Sequence, residues 1–448
     1  MAFTKHGTGR ETEKIAAYIN NARYEHLPPE VISKAKRHIL DTLGAIAMAV
    51  ELDMGKLMLE FARQHAGKDE STIIGSNLKT SCITASLVNG LFGHADELDD
   101  VHHGAVLHQG CVIVPAALAL GERGKADGKA FIKAVVTGYD INCRVCTALN
   151  PRLIRENNHS VMGVPTAFGA AAAASSILGL SEERIRSAMG LAGQQASGTL
   201  AWLNEPRHMA KAFESGVAVR NGVTAALLAQ LDFQGPPAIF EGPHNVFDSF
   251  SGEHNFAELT RALGTSYAIM ETPIKKYPVG APIQAPLEGL FKIMREQTLC
   301  ADDIQQIVIT MAERFAWLVS NRPIKNISVE YLIAAAACHG KLGLEETHSE
   351  NIWREPRVER LKEKIKIVGD PESEMLGPAT IEVITREGKR HSLHVEHVPL
   401  SQAQVEAKFL DAAAPVLGSE RAQKVIEMVN RLEETRDINE LGNLLRID

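Results

Sequence analysis

Val164-Pro165-Thr166-Ala167-Phe168-Gly169-Ala170-Ala171-Ala172-Ala173-Ala174-Ser175-Ser176-Ile177-Leu178-Gly179-Leu180 is a run of small, mostly apolar side chains with its one proline near the start. Alanine is the best helix former, and small side chains let helices approach closely, so the run reads as a close-packed helix interior. A new helix starts at Ser181, an N-cap hydroxyl followed by Glu182 and Glu183 in the first turn. Residues 215–231 form another small-residue helix. Towards the N-terminus, Pro28 and Pro29 precede Glu30, and Ile32, Ala35, Ile39 and Leu43 share one helical face. A helical unit runs from about Thr84 to His94, a loop rich in Asp and His occupies 96–108, and an apolar helix is expected from near Pro115.

The period changes after Pro273. Ile307, Ile309 and Met311 alternate as in a half-buried strand, and Ile365 and Ile367 suggest a second. Ile381 and Val383, then Leu393 and Val395, flank the polar turn Arg386-Glu387-Gly388-Lys389, which reads as a hairpin. A helix around 328–340 lies among these strands. The tail is helical again, with Val425, Ile426, Val429 and Leu432 on one face. The expected fold is mainly α. A large all-helical domain is built from residues 1–268 and 397–448, with a smaller α+β domain, 269–396, inserted between them.

Composition narrows the function. The 448 residues are 45% hydrophobic, 23% charged and only 5% aromatic, a globular balance long enough for two domains. The formal net charge is -8 and there is no Lys/Arg run, which argues against a nucleic-acid partner. The polar start, Met1 to Arg10, lacks an apolar signal region, and no apolar run is long enough for a membrane span, so a cytoplasmic protein is expected. The six cysteines are scattered; Cys143 and Cys146 form a lone CxxC, read as buried thiols.

The densest polar constellation is His94-Ala95-Asp96-Glu97-Leu98-Asp99-Asp100-Val101-His102-His103-Gly104-Ala105-Val106-Leu107-His108. Its acids and imidazoles suit general acid–base work or a metal site. A solvated loop with helix caps is the plain alternative. Carboxylates would suit Mg or Mn, and no zinc spacing such as HExxH occurs there.

The stretch from Asn89 to His102 resembles the signature loop of the MmgE/PrpD family, which includes 2-methylcitrate dehydratase, cis-aconitate decarboxylase and iminodisuccinate epimerase. The resemblance continues through His108-Gln109-Gly110 and Val114-Pro115-Ala116-Ala117-Leu118-Ala119-Leu120-Gly121-Glu122. Further similar motifs are His159 before Gly163, Lys211 before Gly216 and Asn221-Gly222, Lys275-Lys276-Tyr277-Pro278, Tyr331 before Ala334–Ala337, and the tail at Glu406–Phe409 and Leu432–Leu441. Their shared order along nearly the whole chain carries the resemblance. It implies a helical body with an α+β lid, a homodimer, and a small carboxylate as substrate.

The resemblance also implies roles. His159 is the first choice for proton transfer and His108 the second, with Asp99 or Glu97 orienting or charging an imidazole. Lys211, Lys275 and Arg207 supply positive charge for carboxylates, and Tyr331 donates a proton or binds a carboxylate. Asp100 and His103 complete the substrate-binding set, although Asp99 and Asp100 can equally shape the loop by accepting from backbone N–H groups. The mechanism asks Lys211, Lys275, His108 and His159 to converge on one cleft. No metal or other cofactor is expected.

The sequence departs from the family pattern at Val101, where Thr or Ser is usual, at Gln109 in place of Pro, and at Glu214 and Gly280, where relatives carry His. A pocket altered at several points changes its preference, so no particular substrate carries over. The expected activity is a cofactor-independent lyase, a dehydratase or decarboxylase. The rivals are an epimerase or isomerase on the same scaffold, a metal-dependent hydrolase built on the Asp/His loop, and a non-catalytic ligand-binding protein.

Overall fold

The computed structural model describes residues 9–205, 207, 209–252, 255–396 and 398–447. Met1–Thr8, most of the polar start, lie outside the described residues. The chain divides into two compact units. One contains the chain up to Ala95, Asp99–Thr272 and the segment from Ser401 onward; the other contains Asp96–Leu98 and Pro273–Leu400.

The first unit is helical. Its centre is the Thr166–Leu178 helix, packed against Gly128–Ala148, Gly110–Gly124 and Met209–Gln230, with Cys82–Gly93 on the far side of the last. Ala170 to Ala174 are wholly buried. The close approach is literal: a Cβ on Gly222 would fall 2.5 Å from Ala170 Cβ, and one on Gly90 would fall 2.6 Å from Val219 Cγ2. Both chain ends build this unit. The Gln402–Leu417 helix lies on Pro29–Met48, Phe409 packs over Gly44, and Lys408 Nζ pairs with Asp41 Oδ1 at 2.5 Å. Burial still pushes the Asp41 carboxyl up to about 6, against the pull of Lys408.

Local signals mark several starts. Pro29 opens its helix and the Ser181 hydroxyl accepts from Arg184 N–H. Two expectations need correction. The apolar helix begins at Gly110, and Pro115 lies inside it. Asp100 Oδ1 accepts from Gln109 N and Gly110 N, so a carboxylate ten residues upstream caps the helix early. The first part of the chain is also not wholly α: strands β1 (Ser71–Thr72) and β2 (Lys79–Thr80) form a short antiparallel ladder. Each is too short to show a period.

The second unit carries a four-stranded sheet. Strands β3 (Ile304–Ala312), β4 (Ile365–Asp370), β5 (Ala379–Thr385) and β6 (Arg390–Val395) lie in the order β4-β3-β5-β6. β3 pairs parallel with β4 and antiparallel with β5, and β5–β6 is the expected hairpin. Ile307, Ile309, Met311, Ile381 and Val383 are buried. The Gln284–Gln297 helix sits flush on the sheet: a Cβ on Gly289 would fall 2.5 Å from Ile381 Cγ2. The Val329–His339 helix packs beside it.

Among the described residues no helix is long and apolar enough to cross a membrane. All six cysteines are free. Burial pushes the Cys143 thiol up to about 12, so it stays protonated and unreactive.

Candidate active site

In the first unit, the Cys82–Gly93 helix delivers His94 at its C-terminal end. His94 Nδ1 lies 2.8 Å from Asp99 Oδ2, and His108 Nδ1 lies 3.2 Å from the same oxygen. The two imidazole rings are 4.5 Å apart. Asp99 is fully buried. Burial alone would raise its carboxyl, but His108 and His94 outweigh it and hold Asp99 well below the usual range. Burial drives His94 down to about 3, so its ring is neutral. Its Nε2 is buried without a hydrogen-bond partner among the described residues. His108 turns its Nδ1 towards Asp99, although that nitrogen makes no hydrogen bond among the described residues.

Lys211, in the first turn of Met209–Gln230, is nearly buried. Its charge lowers both the His94 imidazole and the Cys111 thiol, which places it in the electrical neighbourhood of this trio. Its Nζ stands 5.7 Å from the centre of the Trp202 ring. One turn further, Glu214 Oε1 lies against Gly198, and Ser160 and Thr199 beside it favour the charged form of the carboxyl. His159 precedes Ser160 and is half-buried; it pairs with Thr199 through the backbone, and its ring meets Phe250 edge-on at 5.1 Å. Glu214 therefore ties the loop bearing His159 to the helix bearing Lys211.

Asp100 belongs to a different network. Its Oδ2 accepts from Tyr139 Oη at 2.6 Å and lies 2.6 Å from His38 Nδ1, while Oδ1 takes two backbone amides. With both oxygens engaged by protein donors, it shapes the loop. Of the remaining residues in this unit, Arg207 is exposed, with its amide on Glu205 Oε1, and His103 is half-buried.

In the second unit, Lys275 Nζ lies 2.9 Å from Glu97 Oε2 and 3.2 Å from Glu97 O, both side chains nearly buried. Asp96 accepts from Asn326 Nδ2 at 2.6 Å and lies 2.9 Å from His348 Nε2. Tyr331 is enclosed in the core, and its hydroxyl donates to Glu346 O at 2.5 Å. In this arrangement that proton is committed to the backbone.

The sequence reading assigned no role to His94, Glu214, Asn326 or His348. His94 and Glu214 stood inside recognised motifs; nothing local marks Asn326 or His348. His94, Asp99 and Cys111 bring donor atoms within 4.8 Å of one another, a mixed N, O and S set whose donor types suit zinc. The His94–Asp99 hydrogen bond equally accounts for their approach.

Comparison with known proteins agrees in extent. The chain is 27% identical to the cis-aconitate decarboxylase-like protein oryM of Aspergillus oryzae, over 98% of this chain and 97% of that protein. It is 25% identical to human cis-aconitate decarboxylase over 97% of this chain and 94% of that one, and 23% identical to the Aspergillus terreus enzyme of that name over 97% and 95%. The family models for the MmgE/PrpD N-terminal domain and C-terminal domain match residues 13–259 and 277–434. Together they span both units, and the chain belongs to the MmgE/PrpD family.

Proposed function

We propose that the chain is a cofactor-independent lyase that removes CO2 or water from a small di- or tricarboxylic acid. The observation that carries this reading is the buried His94–Asp99–His108 line with Lys211 beside it. Near-full-length similarity to proteins named cis-aconitate decarboxylase supports it.

Both eliminations develop negative charge next to a carboxylate. Lys211 meets that charge, in a buried setting where a cation acts more strongly than in water. In dehydration, one imidazole takes the proton α to the carboxylate and a second protonates the departing hydroxyl, giving water and an alkene. In decarboxylation, the C–C electron pair stays on carbon as CO2 leaves, and an imidazolium supplies the proton. His159 and His108 fill these two roles. Asp99 Oδ2 faces the His108 ring at 3.2 Å and helps to place it.

The test is an assay on a panel of di- and tricarboxylates after exhaustive chelation, read by product mass. Loss of the mass of CO2 or of water supports the reading. Unchanged mass with inverted configuration assigns an epimerase, and a strict need for added metal on every substrate defeats the mechanism. Homodimer formation, which belongs to the same reading, is measured by sedimentation velocity.

A further inference from the structure

Glu214 is an acid among the basic groups of the first unit that the mechanism leaves unused. It stands three residues after Lys211 on the same helix, so the two side chains share a face. Oε1 lies against Gly198, 3.2 Å from where a Cβ would be, and Ser160 and Thr199 are near enough to favour the charged form of the carboxyl. Oε2 is buried and has no hydrogen-bond partner among the described residues. An enclosed carboxyl oxygen of this kind suits a protonated carboxyl, whose hydroxyl waits for an acceptor.

An enclosed polar atom without a partner needs an explanation, because leaving it unmet is costly. An ionised carboxylate here would also repel a polycarboxylate drawn in by Lys211. Both difficulties vanish if the acceptor is the ligand. We propose that Glu214 is a substrate-binding residue that works as a neutral carboxylic acid, donating a hydrogen bond from Oε2 to a substrate carboxylate held by Lys211. This rests on the polycarboxylate reading above and names a further contact within it.

The protonation state is consistent. Burial raises the Glu214 carboxyl to about 7, more than Ser160, Thr199 and Lys211 lower it. The titratable groups around it are Lys211 on its own helix and His159 beside Ser160 on the facing loop; Ser160 and Thr199 contribute neutral donors. Glu214 is thus neutral below about pH 7 and charged above it, so carboxylate binding strengthens as pH falls.

Calorimetric binding of tricarballylate, cis-aconitate and succinate at pH 6 and pH 8 tests this, with circular dichroism as the folding control. The native chain is expected to bind about tenfold more tightly at pH 6, the ratio set by one group titrating near neutrality. Glu214→Gln keeps a donor but cannot ionise, so its affinity should match the native pH 6 value at both pH values. Ser160→Ala removes a donor that favours the carboxylate, so the midpoint of the native pH dependence should move upward. Equal native binding at both pH values, an unchanged pH ratio in E214Q, loss of binding by folded E214Q, or a midpoint in S160A that stays or falls each overturns the assignment and leaves the lyase reading standing. Native protein that binds none of the three acids at either pH ends both.

Discussion

His94 Nδ1 and His108 Nδ1 converge on a single oxygen, Asp99 Oδ2, at 2.8 and 3.2 Å. One buried carboxylate thereby holds one imidazole by a hydrogen bond and faces a second. Asp99→Asn keeps the shape and removes the charge. It should lower kcat by about 10²-fold or more, as loss of an imidazole-orienting acid does, and it should also lower the melting temperature, because a carboxyl held well below its usual range stabilises the fold in its charged form. Near-native kcat in a folded D99N chain refutes the role.

Tyr139 and His38 hold Asp100 in a network that stays clear of the proposed chemistry. Tyr139→Phe deletes one donor and leaves the carboxylate with three. It should cost about 1–3 kcal/mol of stability, the penalty for a lost hydrogen bond to a buried charge, and leave kcat within a few-fold. Denaturant titration and steady-state assay measure the two effects. A large kcat loss without a stability loss would move Asp100 into the catalytic machinery.

Lys275 and Glu97 are nearly buried together, so removing either takes a close opposite charge from the other. Lys275→Met should destabilise the chain by about 3–5 kcal/mol. The double variant Lys275→Met with Glu97→Gln should recover much of that. A double-mutant cycle in urea reports the coupling, and additive losses would show that the pair does not act as one.

His348 titrates against Asp96. Burial lowers the imidazole, but the Asp96 hydrogen bond and charge outweigh it, and the net shift is upward. A His with a raised folded-state value stabilises fully below its unfolded value near 6.5. That contribution is lost as pH rises through the raised value. Asp96 runs the other way: burial raises it, His348 and Asn326 outweigh burial, and its contribution is lost as pH falls through the depressed value. The pair is partly solvent-screened, so the effect should stay below about 1 kcal/mol. Urea midpoints at pH 6 and pH 8.5 should differ less in His348→Gln than in the native chain; an identical difference rejects the pairing.

Gly222 tests the close helix contact. Gly222→Ala puts a methyl 2.5 Å from Ala170 Cβ, and overpacking of this kind costs about 1–3 kcal/mol. A melting temperature at or above native would mean that the helices separate without penalty.

Much of the secondary structure was legible from neighbours along the chain. Pro29, Ser181 and the alternation of Ile307, Ile309 and Met311 act within one turn or one strand, so each carries its own signal. The run at 164–180 announced close packing because only small side chains fit there. The loop from His94 to His108 marked itself as a candidate site by residue type. Which acid meets which base was not legible. Asp99 and Asp100 are adjacent and alike in sequence, yet the folded loop sends one to His94 and His108 and the other to His38 and Tyr139. The early start at Gly110 was missed because its cap is Asp100, which reaches it only through the folded loop.

Residue type and short-range spacing alone determined the helices, the hairpin and the family pattern, because those depend on atoms a few bonds or one turn apart. The tertiary structure decided that Asp96 meets His348, 252 positions away, and that Glu214 Oε2 is enclosed without a hydrogen-bond partner among the described residues. Burial and charge pairing act through space, and only packing sets those distances.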